Sequence, residues 1–159
     1  MATLTFTLSE DINIAGTNFG SVSTKSIANI TQVYKQTLEV TNSQTAILNL
    51  GTAVSAGTVI GTDVRYLRIT NNSTTYNVEL GFHNDDTNDT SYFITLDPGR
   101  SYIVACDDAN GTAPQLDAND NGAYGSYTVA LKALEVITAE AEHSSGCSIE
   151  IMVCSDTTG

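Results

Sequence analysis

The chain has no tryptophan, two histidines, and six lysines and arginines against eighteen aspartates and glutamates in 159 residues. Each shortage excludes something. A tight zinc site needs three or four His or Cys ligands, and His83, His143 and the three cysteines do not group that way. Nucleophilic catalysis needs a nucleophile beside a base. The sequence contains no G-x-S-x-G elbow, and His83, among Asn84, Asp85 and Asp86 at a strand end, reads as a solvated loop histidine. There is no Walker or dinucleotide glycine pattern at a strand-to-helix turn. Carboxylate pairs need no local spacing, so Glu10, Glu39 and Glu79 neither support nor oppose glycosidase chemistry. Lys25, Lys35, Arg65, Arg68, Arg100 and Lys132 are scattered, and the net charge is −12. Such a surface repels phosphate backbones, so nucleic acid is not an expected partner.

No apolar run reaches the ~18 residues of a membrane span. The opening MATLTFTLSEDINI lacks the basic and apolar regions of a secretory signal. An odd set of cysteines, Cys106, Cys147 and Cys154, predicts free thiols in a reducing compartment. Only 15% of residues are charged. Asn, Thr and Ser carry the surface instead, as suits exposed strand faces and turns, and the Val, Ile and Leu content argues against disorder.

What is present is period-two alternation, the mark of strands buried on one side. It is clearest from Val64 to Asp108: Tyr76, Val78, Leu80 and Phe82 oppose Asn77, Glu79 and His83, and Tyr92, Ile94, Leu96 and Tyr102, Val104, Cys106 repeat the pattern. Asp97-Pro98-Gly99 forces a turn between the last two runs. Upstream, Leu4, Phe6 and Leu8 form a first strand, and Ile12 and Ile14 a short second one ended by Gly16. Residues 15–26 read as an arm or loop. Tyr34, Leu38, Val40 and then Ala46, Leu48, Leu50 give two more strands around Asn42-Ser43. Ala130, Leu134, Ile137 and Ala141 would also line a helix face, but a strand is preferred there, with His143–Gly146 as a hairpin loop before Cys147, Ile149, Ile151 and Val153.

About ten short strands at 8- to 12-residue spacing predict an all-β antiparallel β-sandwich, best satisfied by a jelly roll. The expected organisation is one domain over residues 1–159, with 1–60 as amino-terminal strands or arm and 61–154 as the jelly-roll core. Open sheet edges predict subunit packing, hence a homo-oligomer.

The longest irregular stretch, 107–125, is a candidate functional loop. Within it Asp117, Asn119, Asn121 and Gly122 match the start of a calcium loop, with Asp107 and Asp120 as further oxygen donors. Position twelve is Thr128 rather than a bidentate Glu, so an EF-hand is excluded. No other cofactor is expected. Tyr124 and Tyr127 beside this loop offer a platform for sugars, an alternative function weakened by the lack of tryptophan.

GTDVRYLRITNNSTTYNVELGF, ITLDPGRSYIV, and ALEVITAEA with SIEIMV together resemble small virion proteins of tailed bacteriophages, in particular capsid decoration (cement) proteins of jelly-roll form. The likeness spans roughly Gly61 to Val153 and brings no catalytic residues. It implies a non-enzymatic virion protein, assembled in the host cytoplasm, that binds the major capsid protein or other virion proteins and holds capsomers together, often as a trimer. A tail or neck component is the alternative within that class.

Overall fold

The computed structural model describes residues 2–51, 55, 57–83, 91–105 and 134–156. The strands are β1 (Ala2–Ser9), β2 (Asn13–Ile14), β3 (Thr17–Asn18), β4 (Val22–Ile30), β5 (Gln32–Val40), β6 (Thr45–Gly51), β7 (Thr58–Ile60), β8 (Val64–Asn71), β9 (Val78–His83), β10 (Ser91–Leu96), β11 (Ser101–Ala105), β12 (Val136–Ala141) and β13 (Cys147–Ser155). A single 3-10 turn, Gly61–Asp63, precedes β8, and there is no α-helix among the described residues. The competing helix near Ala141 is therefore a strand over Val136–Ala141.

Two sheets form the sandwich, with strand orders β11-β8-β13-β5 and β10-β9-β12-β6-β7. The pairs β5·β13, β6·β12, β8·β11 and β9·β10 are nested antiparallel partners. They make one long ribbon that coils until β8 meets β13 and β9 meets β12. That winding is a jelly roll, with β7 added in parallel to β6.

Alternation decides which side chains enter. Leu67 and Ile69, then Val78, Leu80 and Phe82, then Ile149, Ile151 and Val153 are buried between the sheets. One expectation fails locally. Ala46 does not share the face of Leu48 and Leu50, because the β6–β12 register shifts between Ile137 and Thr138. The bulge turns Ala46 outward and buries Ile47 beside Leu48.

The expected division after residue 60 falls instead at Thr31. β5 pairs with β13 and β6 with β12, so both belong to the sandwich. What stands apart is a ribbon of β1 and β4, with β2 and β3 as its tip. Residues 22–26, read as part of an arm or loop, are strand within this ribbon. Thr5–Ser26 and Thr7–Thr24 hydroxyl pairs line its polar face, so no burial pattern marked them. Ala15 (φ 52°) and Gly16 (φ 86°) make the tip turn, both left-handed as a two-residue hairpin requires.

The ribbon's base lies on the outer face of the four-stranded sheet. Ile27 and Ile30, with Leu4 and Phe6, bury Tyr66 and Cys154 there beside Met152 and Ala105. Cys147 is buried in the main core, and both cysteines are free thiols; Cys106 is outside the described residues. Burial also pushes the Cys154 thiol above its ordinary pKa, against the pull of Arg68. In the native protein at mildly alkaline pH, iodoacetamide is expected to leave Cys147 and Cys154 unmodified, and to label both after unfolding. Mass spectrometry of the two samples checks this; native labelling of Cys154 would show that the ribbon does not stay closed over it.

Lys35 bonds to Glu150 at 3.0 Å, and Arg68 reaches the same carboxylate. The Lys35 ammonium, with Arg68 beside it, holds the Glu150 carboxyl below its usual range. That contribution to stability is present above the ordinary carboxylate pKa and fades as pH falls through the lowered value.

Candidate functional site

Four connections, 41–44, 72–77, 97–100 and 142–146, each pass from one sheet to the other, and strand direction puts them all at one end. The expected hairpin at His143–Gly146 is thus a corner. β12 and β13 do not pair, and Gly146 (φ 76°) sits where a Cβ would lie 2.7 Å from the Val40 carbonyl oxygen. The corners are tied to one another. Ala141 N–H donates to Thr41 O, Glu142 N–H to Asn77 O, and Asn72 N–H to Ser148 O. The Tyr76 and His143 rings stack at 4.2 Å.

Asn71 is the buried hub of this end. Its Nδ2 donates to Tyr76 O (2.9 Å) and Leu96 O (3.0 Å), while its Oδ1 accepts from Ser73 N–H (2.9 Å). Its phase was readable, since it follows Leu67 and Ile69 on the inward face, but a polar residue there was not singled out.

His83 is not a solvated loop residue. It ends β9, half-buried on the outer face of the five-stranded sheet, with its ring edge-on to Phe93. Nδ1 lies 2.7 Å from Ser91 Oγ, and Nε2 lies 2.8 Å from Thr138 Oγ1 and 3.3 Å from Gln44 Nε2. The Gln44 amide also donates to Thr138 Oγ1. The Thr138 hydroxyl itself donates to Gly81 O, and the donor and acceptor roles at the two ring nitrogens follow the tautomer of His83. Gly81 completes the arrangement, because a Cβ there would lie 2.5 Å from both His83 Nε2 and Thr138 Oγ1. Sequence reading missed these partners because they come from two other strands, β10 and β12, and a corner.

Beside it, Glu79, Glu140 and Glu142 line an open groove of about 440 Å³ with Asn42, Asn77, Thr95 and Ala141. Glu79 and Glu140 are directly opposed across the β9–β12 ladder. Like charges at such a pair destabilise by a few tenths to ~1 kcal/mol. Glu140→Gln is accordingly expected to raise stability by about 0.5 kcal/mol at low salt, with the gain shrinking as salt is added. Denaturant titrations at two ionic strengths check it, and a destabilised variant would mean that the pair has a compensating partner. Among the described residues no three His, Cys, Asp or Glu side chains gather to hold a metal ion. The candidate calcium ligands Asp117, Asn119 and Asn121 lie outside the described residues, as do Asp107, Asp120, Tyr124 and Tyr127.

The ribbon is the third feature. Beyond its base the apolar side chains Leu8, Ile12, Ile14, Phe19 and Val22 are exposed, Phe19 by 64% and Val22 by 70%. The ladder continues through Glu10 N–H to Ser21 O and Phe19 N–H to Ile12 O, so the tip is a formed hairpin. From Leu8 to the Ala15 turn it reaches about 20 Å. It springs from the end of the sandwich opposite the four corners, where Thr31 N–H bonds Ser155 O. No helix among the described residues is long and apolar enough to cross a membrane. Comparison with protein families, with curated proteins and with solved structures returns no match for this chain.

Proposed function

We propose that this protein is a non-enzymatic structural component of a virus particle, a capsid decoration protein that bridges neighbouring capsomers. The observation that carries the reading is the ribbon: a formed arm, fixed at its base to a rigid jelly roll, with an apolar tip left bare. Water-exposed apolar side chains on a projecting hairpin are costly to display unless another surface covers them. A protein that joins shell subunits needs a stiff body, a soluble outer face and a reaching contact, and the acidic jelly roll with its arm supplies all three. The likeness to phage decoration proteins points the same way. Its partners would be the major capsid protein or other virion proteins, and its place the virion.

A second reading, a carbohydrate- or receptor-binding module, is favoured by the open groove of carboxylates and amides, flanked by the stacked Tyr76–His143 pair. Mixing the purified protein with phage particles or shells from its source, then imaging them and counting bound copies, separates the readings. Ordered density at symmetry-related capsid positions is the expected result. Density confined to the tail would make it a tail or neck component. Absence of binding together with a positive glycan array would overturn the virion reading.

A further inference from the structure

We infer that the arm tip seats in a second copy of this chain, in the groove between the edge strands β5 and β7. This rests on the reading of the arm as a contact device, and it names the partner of its tip. The groove has a volume of about 420 Å³ and is lined by Gln32, Val33, Tyr34, Ser55, Thr58, Val59, Val153 and Ser155. It opens where β5 ends one sheet and β7, bridged on its outer side to Ser55, ends the other.

Charge selects the occupant. The chain carries a net −12, so two copies repel wherever their acidic surfaces face each other. Residues 12–24 of the arm contain no charged side chain, and among the described residues none lines the groove. These two surfaces can meet between like-charged copies without a Coulomb penalty or the desolvation of an ion. Both present an apolar body with hydroxyl and amide groups around it.

Geometry keeps the arm from its own groove. Its base is held over Tyr66 and Cys154 on the outer face of the four-stranded sheet, and among the described residues nothing buries its tip. The area is sufficient when the contact is repeated. Within the uncharged stretch, Ile12, Ile14 and Phe19 share one face of the hairpin and present on the order of 300 Å² of apolar surface, the size of patch that on a monomer marks an interaction site. Counting both sides, each seated tip buries on the order of 600 Å², so a reciprocal dimer with two seated tips reaches about 1,200 Å², the lower end of stable interfaces.

The test is the mass of the full chain in solution at high micromolar concentration, by light scattering after size exclusion. The wild type is expected at a closed multiple of 16.8 kDa. Ile14→Asp with Phe19→Asp charges the exposed tip, and Gln32→Glu with Ser55→Asp charges exposed positions of the groove. Each double variant is expected to fall to the single-chain 16.8 kDa with an unchanged melting profile below the dissociation step. A wild type that stays at single-chain mass overturns the inference, and so does an oligomer that survives the groove charges. Particle binding reports separately. A single-chain species that still decorates shells would sink the arm exchange and leave the virion reading standing, whereas an arm-dependent oligomer that binds no particle would do the opposite.

Discussion

Replacing Asn71 with leucine is expected to destabilise the protein by about 3–5 kcal/mol, although the change nearly preserves volume. The reason is what it strands. The carbonyls of Tyr76 and Leu96 and the N–H of Ser73 all lose their partner, and the site is fully buried. Each buried group left without a hydrogen bond costs ~1–3 kcal/mol. The corner also loses coherence, since Asn71 N–H bonds Arg100 O and Gly99 N–H bonds Asn71 O around the same residue. Asn71→Asp is a sharper variant. It keeps the acceptor for Ser73 but aims a carboxylate at two carbonyl oxygens. The loss should be greatest at neutral pH, and smaller in mild acid, where a protonated carboxyl can donate to one of them. Urea titrations of both variants across pH check this, and a leucine variant within 1 kcal/mol of wild type would show that the corner is held by other contacts.

Phe82→Ala is expected to cost about 3–5 kcal/mol, the range for deleting a large buried aromatic. Phe82 is fully buried and touches both sheets. It stacks on Tyr92 of β10 at 4.5 Å and tilts over Tyr102 of β11 at 5.2 Å. Those two strands are the outer edges of opposite sheets, so the ring closes the sandwich on that side. Removing it leaves a cavity beside two tyrosines. Tyr92, partly exposed and with its hydroxyl raised well above its normal pKa by the burial of its remaining surface and by its bond to Tyr102, would lose the ring stacked on it and become more exposed. The melting temperature should fall by roughly 10 °C or more for a domain of this length. Alkaline difference spectroscopy should also show Tyr92 ionising at lower pH than in the wild type. Phe82→Leu refills most of the space and should cost less; equal losses for the two variants would point to the aromatic contacts rather than the cavity.

Much of the fold was legible because alternation is a local property. Val78, Leu80 and Phe82 announce an inward face by spacing alone, and the structure buries all three. Asp97-Pro98-Gly99 announces a turn, and Gly99 has φ 71°. Alternation does not say which strand lies beside which. Leu4, Phe6 and Leu8 read like any sandwich strand, yet they belong to the arm, because their partner β4 looks polar and patternless. His143–Gly146 reads like a hairpin loop, yet it is a corner, since turn residues look alike whether the next strand pairs or crosses. His83 was read from its acidic neighbours in sequence, while its actual partners Ser91, Thr138 and Gln44 arrive from other elements.

Composition and period two by themselves determined an acidic, all-β, one-face-buried chain with turns at its Gly-, Pro- and Asn-rich joints, because those depend on each residue and its nearest neighbours. The jelly-roll winding, the transfer of β5 and β6 into the sandwich, the hub at Asn71 and the bare arm tip were decided only in three dimensions. Each depends on closing long loops, and a backbone ladder pairs any strand with any other until core shape and buried hydrogen bonds choose among them.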